Sequence, residues 1–186
     1  MKTAKQKTKT LSEAFQKRNA AFLLATPEGK RVLIFKDMLA QLKTEKYKPK
    51  CGVWVEGIGK EWSKAEGQQI CDVSEKLRCN VCQVGGVMLS TLRFVNDACI
   101  KLNIFSGDFI IDLGTREDKT KKYFEKSQIR LMELAYEKGK GCYSFLSVKK
   151  ELGLKAIKFG KKYSSNYKRM VAICKNAVKN NGTFIP

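Results

Sequence analysis

Apolar residues recur at helical spacing along most of this chain. Val32, Phe35, Met38, Leu39 and Leu42 follow one another at intervals of three or four, which brings their side chains to one face of a helix. Thr26-Pro27-Glu28 marks the start of that helix: a capping hydroxyl, a proline whose missing N–H costs nothing in the first turn, and an acid at the positive pole of the helix dipole. Tyr47-Lys48-Pro49 closes it, because the residue before a proline is pushed out of the helical region. Ahead of it, Ser12 caps an earlier helix running to about Leu24, with Phe15, Phe22 and Leu23 on its apolar side. Between Ile70 and Leu102 lies the strongest helical stretch, open to a break near Arg78. Val81, Val84, Met88, Leu92, Val95, Cys99 and Leu102 form its apolar face, and Gln83, Ser90, Arg93, Asn96, Asp97 and Lys101 the opposite one. This is the expected central core helix. Gly85-Gly86 lowers its helix propensity and predicts close approach by another backbone.

Two further helices are expected. One spans about Thr115 to Glu137, carries Tyr123, Ile129, Leu131, Met132, Leu134 and Ala135, and stops at Gly139-Lys140-Gly141. The other spans about Ser165 to Lys179, carries Tyr167, Met170, Val171, Cys174 and Val178, and stops at Asn180-Asn181-Gly182. Between them, Ser147 to Tyr163 reads as a pair of short helices around Gly153. CGVWVEGIG (51–59) alternates between glycines, as one short strand or an extended hairpin arm does. Residues 104–113 fit a strand or a single helical turn. The expected fold is mainly α, a single domain of about six helices with a minor β element: a basic flexible arm over 1–10, then one helical domain over 11–186.

Charge changes this picture most. The chain has 37 Lys+Arg against 18 Asp+Glu, no histidine, and a net charge of +19. Residues 1–50 carry 13 basic and 4 acidic side chains, residues 51–137 carry 12 and 13, and residues 138–186 carry 12 and 1. A near-neutral middle therefore lies between two basic ends, and such a field favours polyanions, nucleic acid above all. Lysine outnumbers arginine 30 to 7. Lysine is a flexible point charge, suited to phosphates more than to base edges. In 147–163, SVKKELGLKAIKFGKKY, Val148, Leu152, Leu154 and Phe159 fall at the apolar positions of a helix-turn-helix, with Gly153 at the turn. Lys149 departs from that motif, and its second helix offers no arginine or amide to read bases. The residues expected to touch nucleic acid are Lys155, Lys158, Lys161, Lys162, Lys168 and Arg169, then Lys140, Lys149, Lys150 and the arm lysines. Tyr143, Phe145, Phe159, Tyr163 and Tyr167 interleave with them, either to stack on unpaired bases or to anchor the helices to the core.

Catalytic chemistry finds little here. Without histidine the commonest general base and metal ligand is missing, and no GxSxG, Walker-type or HExxH motif occurs. The seven cysteines (Cys51, Cys71, Cys79, Cys82, Cys99, Cys142 and Cys174) are scattered, as reduced thiols in a reducing compartment are. Cys79 and Cys82 form one CxxC, half of what a structural zinc site uses. On a helix both thiols share one face, which makes them core residues. A redox CxxC instead needs a helix start after a strand. Asp108, Asp112, Glu117 and Lys119 echo the acid and Glu-x-Lys of metal-dependent nucleases, but acids at a helix start serve the dipole equally well. The expectation is a non-enzymatic protein with no cofactor and no metal. No apolar run approaches the length of a membrane span and no signal-peptide core follows the basic N-terminus, which places it in the cytoplasm.

CNVCQVGGVMLSTLRFVN (79–96), RMVAICKNAVKNNGTFIP (169–186) and LSEAFQKRNAAFLLATPEGKRV (11–32), about a third of the chain, resemble segments of small, mostly uncharacterised proteins of tailed bacteriophages and prophages. The resemblance brings no catalytic residues. It implies a setting, a bacterial cytoplasm during infection or a virion. It also implies a role: binding nucleic acid, blocking a host defence complex that carries it (as an anti-CRISPR protein does), or packing in the particle as a virion-associated DNA-binding protein.

Overall fold

The computed structural model describes residues 23, 25–59, 61, 76–94, 123–140 and 147–186. These form five helices and a small sheet, in the order α1 (Pro27–Lys43), β1 (Tyr47–Pro49), β2 (Val55–Gly57), β3 (Cys79–Val81), α2 (Gln83–Phe94), α3 (Lys126–Glu137), α4 (Lys150–Lys161) and α5 (Asn166–Lys179). Mainly helical with a minor β element is what the periodicity predicts. The expected helix from Ser12, the 104–113 segment and the arm lie outside the described residues.

α1 starts where its cap does. Thr26 accepts a hydrogen bond from Gly29 N at 3.0 Å, with Pro27 in the first turn. The backbone N–H bonds at its own terminus, then Arg31, hold the Glu28 carboxyl below its usual range. Val32, Phe35, Met38 and Leu42 are buried as expected. The helix ends at Lys43, however, and Tyr47–Pro49 is a strand. Proline can sit there because β1 is at the sheet edge, where one strand side needs no ladder donor.

The helical stretch breaks near Arg78, as its pattern allowed, but the break is a strand, which corrects the expectation that Cys79 and Cys82 lie on one helix. The sheet order is β1-β3-β2. β1 runs parallel to β3, pairing Tyr47 with Cys79 and Pro49 with Val81, and β2 runs antiparallel to it, pairing Val55 with Val81. Three residues within an apolar stretch have no period of their own, so pairing on both sides decides that they are extended. Tyr47, Val55, Cys79 and Val81 face inward. On the other face, Glu56 accepts hydrogen bonds from Asn80 Nδ2 and Lys50 Nζ, both at 2.6 Å.

α2 is the central helix, as its pattern predicts, but it has no solvent face: every residue from Val81 to Leu92 is buried, Gln83, Ser90 and Thr91 included. α1, α3 and β3 pack around it. Gly85 admits the Trp54 carbonyl so closely that a Cβ would lie 1.8 Å from its oxygen, the close approach that the glycine pair predicts. Arg93 at the helix end reaches both carboxylate oxygens of Asp37 on α1 at 2.6 Å and lies over the Tyr47 ring.

α3 begins later than expected. Tyr123 and Phe124 precede it in non-helical backbone, Phe124 meeting Phe35 edge-on at 5.6 Å. It ends through Lys138 and Gly139, both at positive φ, with Gly139 N bonded to Leu134 O. α5 is capped by Ser165, which accepts from Lys168 N. It stops at Asn180-Asn181-Gly182, where Gly182 N reaches Ala177 O at 2.8 Å, as the sequence predicts.

Candidate nucleic-acid interface

α4 corrects the helix-turn-helix reading. It is one continuous helix through Gly153, which is buried along with Ala156 and Gly160. These small residues, at i, i+3 and i+7, lay α4 on α3. At Gly160 a Cβ would fall 1.8 Å from Ala135 O. Gly153 therefore serves packing, not a turn, and no separate recognition helix exists among the described residues of this segment. Apart from half-buried Ile157 and Phe159, the rest of α4 faces solvent, and Lys155, Lys158 and Lys161, with Lys162 just past its end, are all exposed. Lys149 and Lys150, at its start, and Lys140, after α3, are exposed too.

Arg169 departs from the expected set. It is 1 % exposed. Its guanidinium donates to Gly160 O at 3.2 Å, Tyr136 O at 2.7 Å, Tyr163 O at 3.3 Å and Asn166 Oδ1 at 3.1 Å, and it lies over the Tyr136 ring. The carbonyls stand at the C-terminal ends of α3 and α4, the negative poles of both helices. Arg169 thus ties three helices together from inside and does not face a ligand. Only a planar donor fork can serve so many acceptors at once.

Lys168, beside it, points outward. On α5 it is followed by Lys175 and Lys179, both exposed. Separations of seven and eleven residues bring all three onto one face. Sequence reasoning missed Lys175 and Lys179, although this spacing could have revealed them. Between the end of α4 and the outer side of α5 lies an open groove of about 500 Å³, lined by Phe159, Tyr163, Tyr167, Val171 and Ala172 with Lys168, Lys175 and Asn176. The Phe159 ring is backed edge-on by buried Phe184 at 5.2 Å, meets Tyr163 at 5.5 Å, and has Lys162 Nζ 5.9 Å from its centre. Tyr167 is 47 % exposed. Phe159 is thus an anchor as well as a wall, while Tyr167 is free to take a partner. Tyr143 and Phe145 lie outside the described residues.

Among the described residues no salt bridge involves a lysine of α4 or α5. Glu151 is the sole acid in 138–186. Segment 138–186 therefore carries a large excess of positive charge, which favours polyanions.

The cysteines are placed differently from expectation. Cys79 is on β3. Cys82 stands just before α2, its Sγ accepting from Gly85 N at 3.4 Å, so the two do not share a helix face. A strand followed by a helix start is the redox context, yet burial pushes both thiols up to about 12, so they stay protonated and unreactive near neutral pH. Burial does the same to Cys174. Among the described residues no group of three or more Cys, Asp or Glu is placed to hold a metal ion. Asp108, Asp112, Glu117 and Lys119 lie outside the described residues. No described helix is long and apolar enough to cross a membrane. No family model, curated protein or solved structure matches this chain, so the site stands on its own geometry.

Proposed function

We propose that this protein binds nucleic acid through its phosphate backbone, along the outer faces of α4 and α5, and acts by occupying that nucleic acid or the nucleic-acid groove of a host complex, without catalysing a reaction. One observation carries this reading. The lysines of both helices are exposed and lack carboxylate partners among the described residues, and Lys168 and Lys175 line a groove whose Phe159 wall Lys162 approaches. A cluster of like charges held on rigid helices is costly to the fold unless a polyanion completes it. Lys155, Lys158, Lys161, Lys162 and Lys168 form its centre, with Lys175 added and Lys140, Lys149 and Lys150 at its margin. The phage-like segments supply the setting for this proposal, interference with a host defence complex during infection.

Equilibrium binding to structured RNA, single-stranded DNA and duplex DNA across a salt series tests it. The logarithm of affinity should fall linearly with the logarithm of salt concentration. Reversing Lys155, Lys158 and Lys162 to glutamate together should weaken binding to all three and flatten the slope by about 1 for each phosphate no longer neutralised. No binding to any of them at low salt would defeat the reading.

A further inference from the structure

We infer that the groove between α4 and α5 takes unpaired bases, so that the ligand of the basic surface is single-stranded nucleic acid and not duplex; this rests on the reading just given. The lysines by themselves do not distinguish strands, since phosphates are common to both. The groove does. Its lining is aromatic: Tyr167 stands 47 % exposed at the start of α5 and shares the groove with Phe159, Tyr163, Val171 and Ala172. The wall is stiff, because Phe159 is held against buried Phe184. Cations edge it, with Lys162, just past the end of α4, over the Phe159 ring and Lys168 and Lys175 on α5. Aromatic faces beside lysines are how proteins hold unpaired bases while tracking their phosphates. A duplex keeps its bases stacked within and leaves such walls idle.

The amide that lines the groove is already committed. Asn176 donates to Ile185 O at 2.8 Å and accepts from Ile185 N at 2.9 Å, and its oxygen also accepts from Asn180 Nδ2. No amide is left to read a base edge there, so stacking should be tolerant of sequence.

The test uses the full chain and three dye-labelled probes of equal length: oligothymidylate, the same strand with its bases removed, and a duplex. Binding is followed by anisotropy over a salt series. Wild-type protein should hold oligothymidylate more tightly than the abasic strand, and Tyr167→Ala should cut the oligothymidylate affinity by about 5- to 100-fold without changing the salt slope or the abasic affinity. Tyr167→Phe, which keeps the ring, should restore it. Lys168→Glu with Lys175→Glu should weaken all three probes and flatten the slope. Equal affinity for oligothymidylate and the abasic strand would overturn the groove assignment and leave the phosphate reading standing; this comparison needs no variant. Polyglutamate displacing oligothymidylate at equal charge would overturn it in favour of an acidic polypeptide. Failure of wild-type protein to bind any probe would defeat the proposed function itself.

Discussion

α2 and α4 are both twelve residues long and both carry two glycines. In each, one glycine lets a foreign carbonyl approach to where a Cβ would stand: Trp54 O at Gly85, Ala135 O at Gly160. The local device is the same and the surroundings are opposite. α2 is enclosed on every side, so even its polar residues are inside, and its single charge, Arg93, is paired with Asp37. α4 is packed along one thin stripe and shows solvent a row of lysines without carboxylate partners. A glycine contact therefore does not say whether a helix belongs to the core; how many sides are covered does. The function proposed here belongs to the helix with a face to spare.

The difference can be broken from the α2 side by alkali. Cys79, Cys82 and Cys174 surround this region, and burial raises each from 9.0 to about 12. The unfolded chain then releases these protons first. Stability is complete below pH 9 and falls between pH 9 and 12 by about 1 kcal/mol per pH unit for each thiol. Urea melts at pH 8 and pH 10 should show a drop of several kcal/mol, and Cys174→Ala should make it shallower; an unaltered pH slope in that variant would show that the thiol is not the cause. The next largest effect is expected at the ion pair. Asp37→Ala removes the carboxylate that Arg93 meets on α1 in a nearly dry site, costing about 1.5–3 kcal/mol and lowering Tm by about 5–10 °C in calorimetry.

The two glycines test whether the shared device is real. Gly85→Ala and Gly160→Ala should each cost about 1–3 kcal/mol or more, read as a lower urea midpoint. A silent Gly160→Ala would mean that α4 can slide on α3 where α2 cannot move. The smallest stability effect belongs to the outer face. Lys158→Glu with Lys162→Glu should change stability by no more than about 0.5 kcal/mol per site, visible as an unshifted thermal melt, while the proposed binding weakens. Arg169→Lys in the same basic segment should behave as a core variant and lower Tm.

Much of the fold was legible because helix ends announce themselves. Thr26-Pro27, Ser165 and Asn180-Asn181-Gly182 act on the backbone within a few residues, and each stands where the helix begins or stops. Gly85-Gly86 correctly foretold a close backbone approach, though not that Trp54 would make it. The site was legible in part. Lys155, Lys158, Lys161, Lys162 and Lys168 are exposed as their spacing implied. Arg169 looked the same in sequence and is buried, because the acceptors that claim it are carbonyls at the ends of α3 and α4, which no local pattern displays.

Caps, turns and the placement of charge along the chain were the sequence's own doing, since they depend on atoms a turn or less apart and on residue counts. Tertiary structure alone decided that Cys79–Val81 pairs as a strand, that Gln83 and Ser90 go inside, that α4 runs straight through Gly153, and that Phe159 of α4 and Lys168 and Lys175 of α5 line one groove. Each of these depends on which distant segment supplies the partner. A short apolar run or a lone glycine satisfies several backbone conformations equally well, and the energy that chooses among them comes from contacts far away along the chain.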